Sequence, residues 1–121
     1  MSTIKVDNLQ TTSGAGLYPA RAWVNFNGTG TVAIRSDGNV SSITDEAEGK
    51  YTVNLSPSQS SASYSITTGS GENVDANENA YDVRLRYNQL PTTSSYKLSH
   101  GYYVSSNVYR DAHIVSSLVT V

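Results

Sequence analysis

Two histidines are the residues of this chain best suited to acid–base chemistry, because an imidazole can gain or lose a proton near neutral pH. His100 and His113 are the only ones, and Asp111 lies between them, so a Ser-His-Asp set can be drawn with any of many serines. Such a triad is defined by a geometry that this sequence does not specify, and the G-x-S-x-G turn that presents a nucleophilic serine is absent. We therefore predict that the protein is not an enzyme.

Paired carboxylates would offer a second route to catalysis, since a hydrolase of surface polysaccharide needs two of them around the scissile bond. No two acidic residues stand out as such a pair. Asp45, Glu46 and Glu48 lie together in what is predicted to be an exposed turn, where their role is solubility. The small chain also leaves no room for a long groove, so a polysaccharide hydrolase is the least favoured function.

Two motifs resemble ligand-binding loops. The segment from Gly28 to Ala33 fits G-x-G-x-x-A, but a dinucleotide site needs a helix to begin there, and a strand pattern begins instead. We predict a hairpin turn. The segment from Asp75 to Asn79 opens like a calcium loop, yet its sixth position is Ala80 and its twelfth is Arg86. We predict a solvated loop and no cofactor, while a cation site assembled with other loops stays open.

Composition limits the remaining functions. The 121 residues suffice for one domain with a modest core. With Lys+Arg 8 against Asp+Glu 10, the net charge of -2 gives no field that would gather nucleic-acid phosphates. Cysteines are absent, and no apolar run resembles a signal sequence or is long enough to span a bilayer. We expect a protein made in a cytoplasm, with no nucleic-acid or membrane partner.

From Arg21 onward the apolar residues recur with a period of two, which is typical of strands with one buried face. No segment shows helical periodicity. The prediction is an all-β fold, namely an antiparallel β-sandwich of about eight short strands over residues 21–121. Asp37-Gly38 lies between two strand-like segments and predicts a two-residue hairpin turn. The clearest alternation runs from Tyr81 to Tyr87 and predicts that its odd positions are buried.

Residues 1–20 are predicted to form an extended N-terminal arm for attachment or assembly, because apolar residues are sparse there and Gly and Pro interrupt the pattern. Ile4 and Val6 alternate, and Leu9 follows. These three apolar side chains could be buried against another chain.

The C-terminal strand and the single tryptophan are further candidates for subunit contact. Leu118, Val119 and Val121 make the last strand apolar on both faces, so it is either central in the sandwich or placed at a contact between subunits. Trp23 directly precedes the apolar Val24, so in a regular strand the two side chains point to opposite faces and Trp23 points away from the core. It could cover a second buried face, pack against a neighbouring subunit, or stack on a ligand.

The aromatic residues are dominated by nine tyrosines against a single phenylalanine. Tyr combines a rigid apolar ring with a polar tip, which suits a thin core as well as a wet interface or a saccharide surface. Tyr102, Tyr103 and Tyr109 are weak candidates for contact with such a saccharide surface, since neighbouring strand residues face opposite ways and one of the first two should be exposed.

The first half of the chain contains three distinctive segments, namely ARAWVNFNGTGTVAIR at residues 20–35, NVSSITD at 39–45 and YTVNL at 51–55, preceded by a leader at residues 2–10. In these segments the chain resembles a module of tailed-bacteriophage structural proteins. These are short tail-fibre-like proteins, frequent in phages of marine and cyanobacterial hosts. This chain departs from the family at residues 46–50, where an Asn-Gly turn is usual.

The resemblance implies a short sandwich in the virion, an arm that attaches to other virion proteins or to a partner subunit, and several copies, usually as a homotrimer. Repeated copies would turn weak contacts with host surface saccharide into strong binding. The first hypothesis is thus a trimeric tail-fibre or fibre-tip protein that contacts the host surface. The alternative is a capsid decoration protein, or another tail structural protein that contacts only virion proteins.

Overall fold

The computed structural model describes residues 2–71, 81–102 and 108–120. Within these ranges the chain forms β-strands and no helix. The strands are β1 Ala20–Asn27, β2 Ala33–Gly38, β3 Val40–Ala47, β4 Lys50–Leu55, β5 Ser65–Gly71, β6 Asp82–Leu85, β7 Ser95–Tyr102, β8 Val108–Tyr109 and β9 Ile114–Thr120. Neighbouring strands pair antiparallel. The predicted all-β antiparallel sandwich is confirmed.

The strands form two sheets that pack face to face. A four-stranded sheet has the order β2-β1-β9-β5, and a second sheet has the order β3-β4-β7-β6 with β8 added beside β7. The hairpin predicted at Gly28 is confirmed, because β1 and β2 pair on either side of it. The C-terminal strand β9 lies between β1 and β5, which confirms the first of its two predicted roles, that of a central strand.

The core fills the space between the sheets with side chains from alternate strand positions. Phe26 of β1 meets Tyr51 of β4 edge to face, with ring centroids 5.2 Å apart. The Tyr96 hydroxyl on β7 and the Ser117 hydroxyl on β9 form a buried hydrogen bond of 2.6 Å that joins the two sheets. Burial raises the pKa of Tyr96 to about 12, so this hydroxyl keeps its proton at neutral pH.

The hairpin turn predicted at Asp37-Gly38 is wrong. Both residues still pair with β1, and the chain turns one residue later at Asn39, whose φ is 57°. At that point it leaves the four-stranded sheet and enters β3 of the other sheet. The Asn39 Nδ2 donates to the Arg21 carbonyl oxygen at 2.8 Å and so holds the crossover. Local sequence favoured a turn, but it could not distinguish a hairpin from a change of sheet.

The burial predicted for the odd positions from Tyr81 to Tyr87 holds only in part. Val83 is buried, whereas Leu85 is 40% and Tyr87 is 90% exposed. The reason is that β6 is an edge strand that ends at Leu85, so the chain leaves the sheet before Tyr87 can reach the core. The alternation of apolar and charged residues in the sequence therefore extends two residues past the end of β6.

Candidate interaction surfaces

The N-terminal arm lies outside the sandwich core. A β-bridge joins Gln10 to Gly16, and the Leu17 N–H donates to the Leu9 carbonyl oxygen at 2.9 Å, so the middle of the arm folds back on itself. Ile4 is 89% and Val6 is 60% exposed. The large apolar side chains exposed in the arm are Ile4, Val6, Leu9, Leu17 and Tyr18. Sequence reasoning identified the first three and missed the last two, which lie at the end of the folded segment and directly after it.

Trp23 projects from β1 on the side away from the core. Val24 beside it is buried, whereas Trp23 is 40% exposed, as the strand alternation predicts. Leu118 lies directly opposite on β9 and is 37% exposed, and Thr67 of β5 completes the row. The indole lies over Gly38 of β2, where a Cβ atom would collide with it. Trp23 and Leu118 are thus neighbours on the exposed face of the four-stranded sheet.

A shallow groove of about 420 Å³ runs along this face beside Trp23. We call it the outer groove and define it by the row Trp23, Leu118 and Thr67 and the adjacent row Asn25, Ser116 and Gly69. Gly69 has no side chain, which leaves the groove open on the β5 side. The residues of both rows carry no formal charge.

The structure corrects one predicted contact on β9. Val119, which was grouped with Leu118, is fully buried in the core because the alternation along the strand turns it inward. Val121 and Tyr103 lie outside the described residues, as do the side chain of Tyr102 and the calcium-like segment from Asp75 to Asn79.

Tyr109 is the one host-surface candidate whose side chain is described. It is half-buried, and the Lys50 Nζ lies 4.2 Å from the centroid of its ring. A cleft of about 480 Å³ adjoins it, lined by Arg84, Leu85, Arg86, Tyr87, Ser99 and Tyr109. Tyr87 was predicted to be buried, and its exposure here adds an aromatic residue that sequence reasoning had assigned to the core.

The acidic residues near the β3–β4 turn are also placed differently from the prediction. Asp45 and Glu46 belong to β3, and only Glu48 lies in the turn. Because Glu46 faces the outer side of its sheet, it forms ion pairs with Arg86 and with Lys97, whose Nζ is 2.6 Å away. Hydrogen bonds from Lys97 and from Thr52, together with the Arg86 charge, lower the pKa of Glu46 from 4.5 to about 2.

We expect Glu46→Gln to lower the free energy of unfolding by about 1 kcal/mol at pH 7, a modest value because the ion pairs are partly exposed and screened. Since the folded-state pKa is depressed, this contribution is fully present above pH 4.5 and is lost as the pH falls toward 2. Urea unfolding of wild type and variant at pH 7, 5 and 3 measures it. A difference that is unchanged at pH 3 would contradict the expectation.

A matched control is available on the next acidic residue. The Glu48 carboxylate lies 3.4 Å from the Arg110 Nη1, and both side chains are more than half exposed. We expect Glu48→Gln to change stability by less than about 0.5 kcal/mol at every pH, as is usual for an exposed pair.

The residues of the hypothetical catalytic triad are engaged in contacts that close one end of the sandwich. The Asp111 Oδ1 accepts hydrogen bonds from the Gly49 N–H at 2.7 Å and the Tyr51 hydroxyl at 3.1 Å. Burial raises the pKa of Tyr51, so this hydroxyl remains a donor. His100 is fully buried, and its Nδ1 is 2.7 Å from the Arg110 carbonyl oxygen. These contacts give Asp111 and His100 a role in holding loops together.

Two other kinds of site are absent from the part of the chain that the structure describes. No group of three His, Cys, Asp or Glu side chains there is placed to hold a metal ion. None of the described segments is a helix long and apolar enough to cross a membrane. The exposed arm, the outer groove and the cleft beside Tyr109 are therefore the surfaces from which a function can be argued.

Comparisons of the chain with protein-family models, with curated proteins and with solved structures find no match.

Proposed function

We propose that this chain is a structural subunit of a bacteriophage particle, made in the host cytoplasm, that assembles as a trimeric tail-fibre or fibre-tip module and contacts the host cell surface. The observation that carries the proposal is the exposure of the arm's apolar side chains beside a sandwich whose core is complete without them. Apolar side chains exposed on an extended segment are a surface that a partner can bury.

The energetics of the arm support assembly. Burying a Val, Leu or Ile side chain stabilises a complex by roughly 1.5–3 kcal/mol when burial is complete. Ile4, Val6 and Leu9 are all at least 47% exposed, so most of this stabilisation is still available to a partner. Ordering the arm and losing the freedom of separate subunits oppose this stabilisation. In a closed ring of identical subunits, the last interface forms without any further loss of that freedom.

Two further considerations support a phage particle and a host surface. The first half of the chain resembles tail-fibre-like proteins in its sequence. The cleft beside Tyr109 combines the exposed Tyr87 ring and the half-buried Tyr109 ring with hydrogen-bonding side chains, which is the chemistry that binds saccharides. A weak saccharide contact of this kind becomes effective when several copies act together.

Antibodies raised against the purified protein test the proposal on particles of the phage that encodes it. We expect the antibodies to label the tail in electron micrographs and to reduce adsorption of the particles to host cells. Antibodies against an unrelated protein of the same phage capsid are the control for nonspecific inhibition.

The other outcomes separate the alternatives. Labelling of the capsid without any effect on adsorption would replace the proposal with a decoration protein that contacts only virion proteins. Protein found in infected cells but absent from purified particles would overturn the structural role altogether.

A further inference from the structure

Two exposed apolar surfaces on this chain have no partner within the described residues of the same molecule. One is the start of the arm, with Ile4 and Val6, and the other is the outer groove beside Trp23 and Leu118. We propose that the arm of one copy docks in the outer groove of a second copy. The inference rests on the proposed function, since it names the partner of the arm within the assembly.

The shape of the outer groove suits an extended segment with small apolar side chains. Trp23 borders it on one side, Leu118 lies in its floor, and Thr67 borders it on the other side. Next to this row, Gly69 contributes no side chain to the β5 side of the groove, and the Ser116 hydroxyl lies 3.2 Å from where a Cβ of residue 69 would be. A branched aliphatic side chain from another chain would therefore lie over the row of Trp23, Leu118 and Thr67.

The arm and the outer groove are both uncharged on the sides that would meet. In an extended backbone, Ile4 and Val6 project to one side and Lys5 and Asp7 to the other. The uncharged side of the arm would then meet the two uncharged rows of the groove, and both charged residues would stay in water. A charged side chain placed against Trp23 and Leu118 would lose hydration without gaining an ion pair in those rows.

The length of the arm is sufficient for this docking. Residues 2–8 span about 23 Å when extended, at about 3.3 Å per residue. Four strands about 4.8 Å apart place the outermost strands about 14 Å from each other. The segment can therefore cross the whole four-stranded sheet, while residues 9–17 fold back on themselves and connect it to β1.

Exchange between copies also explains why both surfaces are open on a single chain. The arm enters β1 at Ala20, close to the groove of its own sheet, and yet Ile4 remains 89% exposed. A contact between the arm of one copy and the groove of the next is heterologous, and three such contacts close into a ring when the rotation between copies is 120°. In such a ring, the arm of every copy lies in the groove of the next copy, so no arm and no groove remains exposed.

The single tryptophan provides a direct test, because Trp23 lies in the groove and its fluorescence emission shifts to shorter wavelength when water is displaced from the ring. The emission maximum of the full chain is recorded over a thousandfold range of protein concentration. The wild type should shift to shorter wavelength as concentration rises. The double variant Ile4→Ser/Val6→Ser and the single variant Leu118→Lys should keep the emission of the dilute protein, with association weakened roughly a hundredfold.

Two control variants should behave like the wild type. Lys5→Ser changes the side of the arm that faces away from the groove, and Leu90→Ser removes an apolar side chain that is 89% exposed outside both surfaces. Circular dichroism of every variant confirms that the strands are intact. If Leu118→Lys fails to fold, the arm variant alone decides the question, since its substitutions lie outside the core.

Each result has a definite meaning. Assembly without a change at Trp23 would overturn this inference and leave the proposed function in place. A chain that stays monomeric at every concentration would overturn both. A shift that is independent of concentration would show docking of the chain's own arm, and a shift caused by added dextran but not by concentration would show a saccharide site. Either of these last two results overturns arm exchange.

Discussion

Replacement of Gly49 by Ala is expected to lower the free energy of unfolding by at least about 3 kcal/mol, whereas the same change at Gly30 should cost about 1 kcal/mol. Both glycines have a left-handed backbone, with φ of 65° and 59°, so the intrinsic strain of an alanine is the same at the two positions. They differ in their surroundings. A Cβ at Gly49 would lie 2.5 Å from the His100 carbonyl oxygen and 2.7 Å from that of Arg110, whereas a Cβ at Gly30 has nothing within 4 Å.

The clash at Gly49 cannot be relieved by a side-chain rotation, because both obstructing atoms belong to the backbone. Gly49 also accepts a hydrogen bond from the His100 N–H at 2.8 Å and donates one to Asp111, so moving its turn would break both. Urea unfolding followed by circular dichroism measures the two variants under identical conditions. Equal losses of stability at Gly49 and Gly30 would show that the turn has room to move and that this close packing is not required.

The sequence alone was sufficient for the fold class, and the reason is physical. A strand with one buried face must alternate, and the buried Val24 and Phe26 of β1 with the exposed Trp23 between them obey that rule. For β9 the sequence left two roles open, a central strand or a contact between subunits, and the strand is central in its sheet, with Val119 buried on the inner side and Leu118 exposed on the outer side. The direction of Trp23 was predictable for this reason.

The sequence could not predict where strands end or which sheet they join. Asp37-Gly38 carries a strong hairpin signal, yet the strand continues through both residues and changes sheet at Asn39. Tyr87 continues the apolar-charged alternation of the sequence, but the chain has already left the sheet after Leu85. Glu46 was assigned to a turn, although its partners Arg86 and Lys97 hold it on a strand. Each error comes from a contact between distant segments that no local pattern contains.

The candidate surfaces were likewise predictable only in part, because the sequence indicated individual residues but not which of them lie side by side. Ile4, Val6 and Leu9 of the arm were evident from the sequence, whereas Leu17 and Tyr18 were missed. Trp23 and Leu118 were evident as well. Their adjacency was not, since the row from Trp23 through Leu118 to Thr67 joins three strands that are far apart in the chain. The role of Asp111 was likewise hidden, because its partners Gly49 and Tyr51 lie about 60 residues away in the sequence.

The second large effect is expected from the arm. Ile4→Ser/Val6→Ser removes two exposed apolar side chains from a segment that contributes nothing to the core, so the folded subunit should be as stable as the wild type. Assembly should be strongly affected, since each side chain contributes roughly 1.5–3 kcal/mol when it is buried in a partner. The association constant should therefore fall by roughly a hundredfold or more.

The measurement that tests this account most directly is the mass of the purified protein in solution, determined by light scattering for the wild type, the arm variant and Leu90→Ser. Leu90 is as exposed as Ile4, so it controls for a general loss of surface hydrophobicity. The account predicts a trimer for the wild type and for Leu90→Ser, and a folded single chain for Ile4→Ser/Val6→Ser. A wild type that remains a single chain, or an arm variant that remains a trimer, would contradict it.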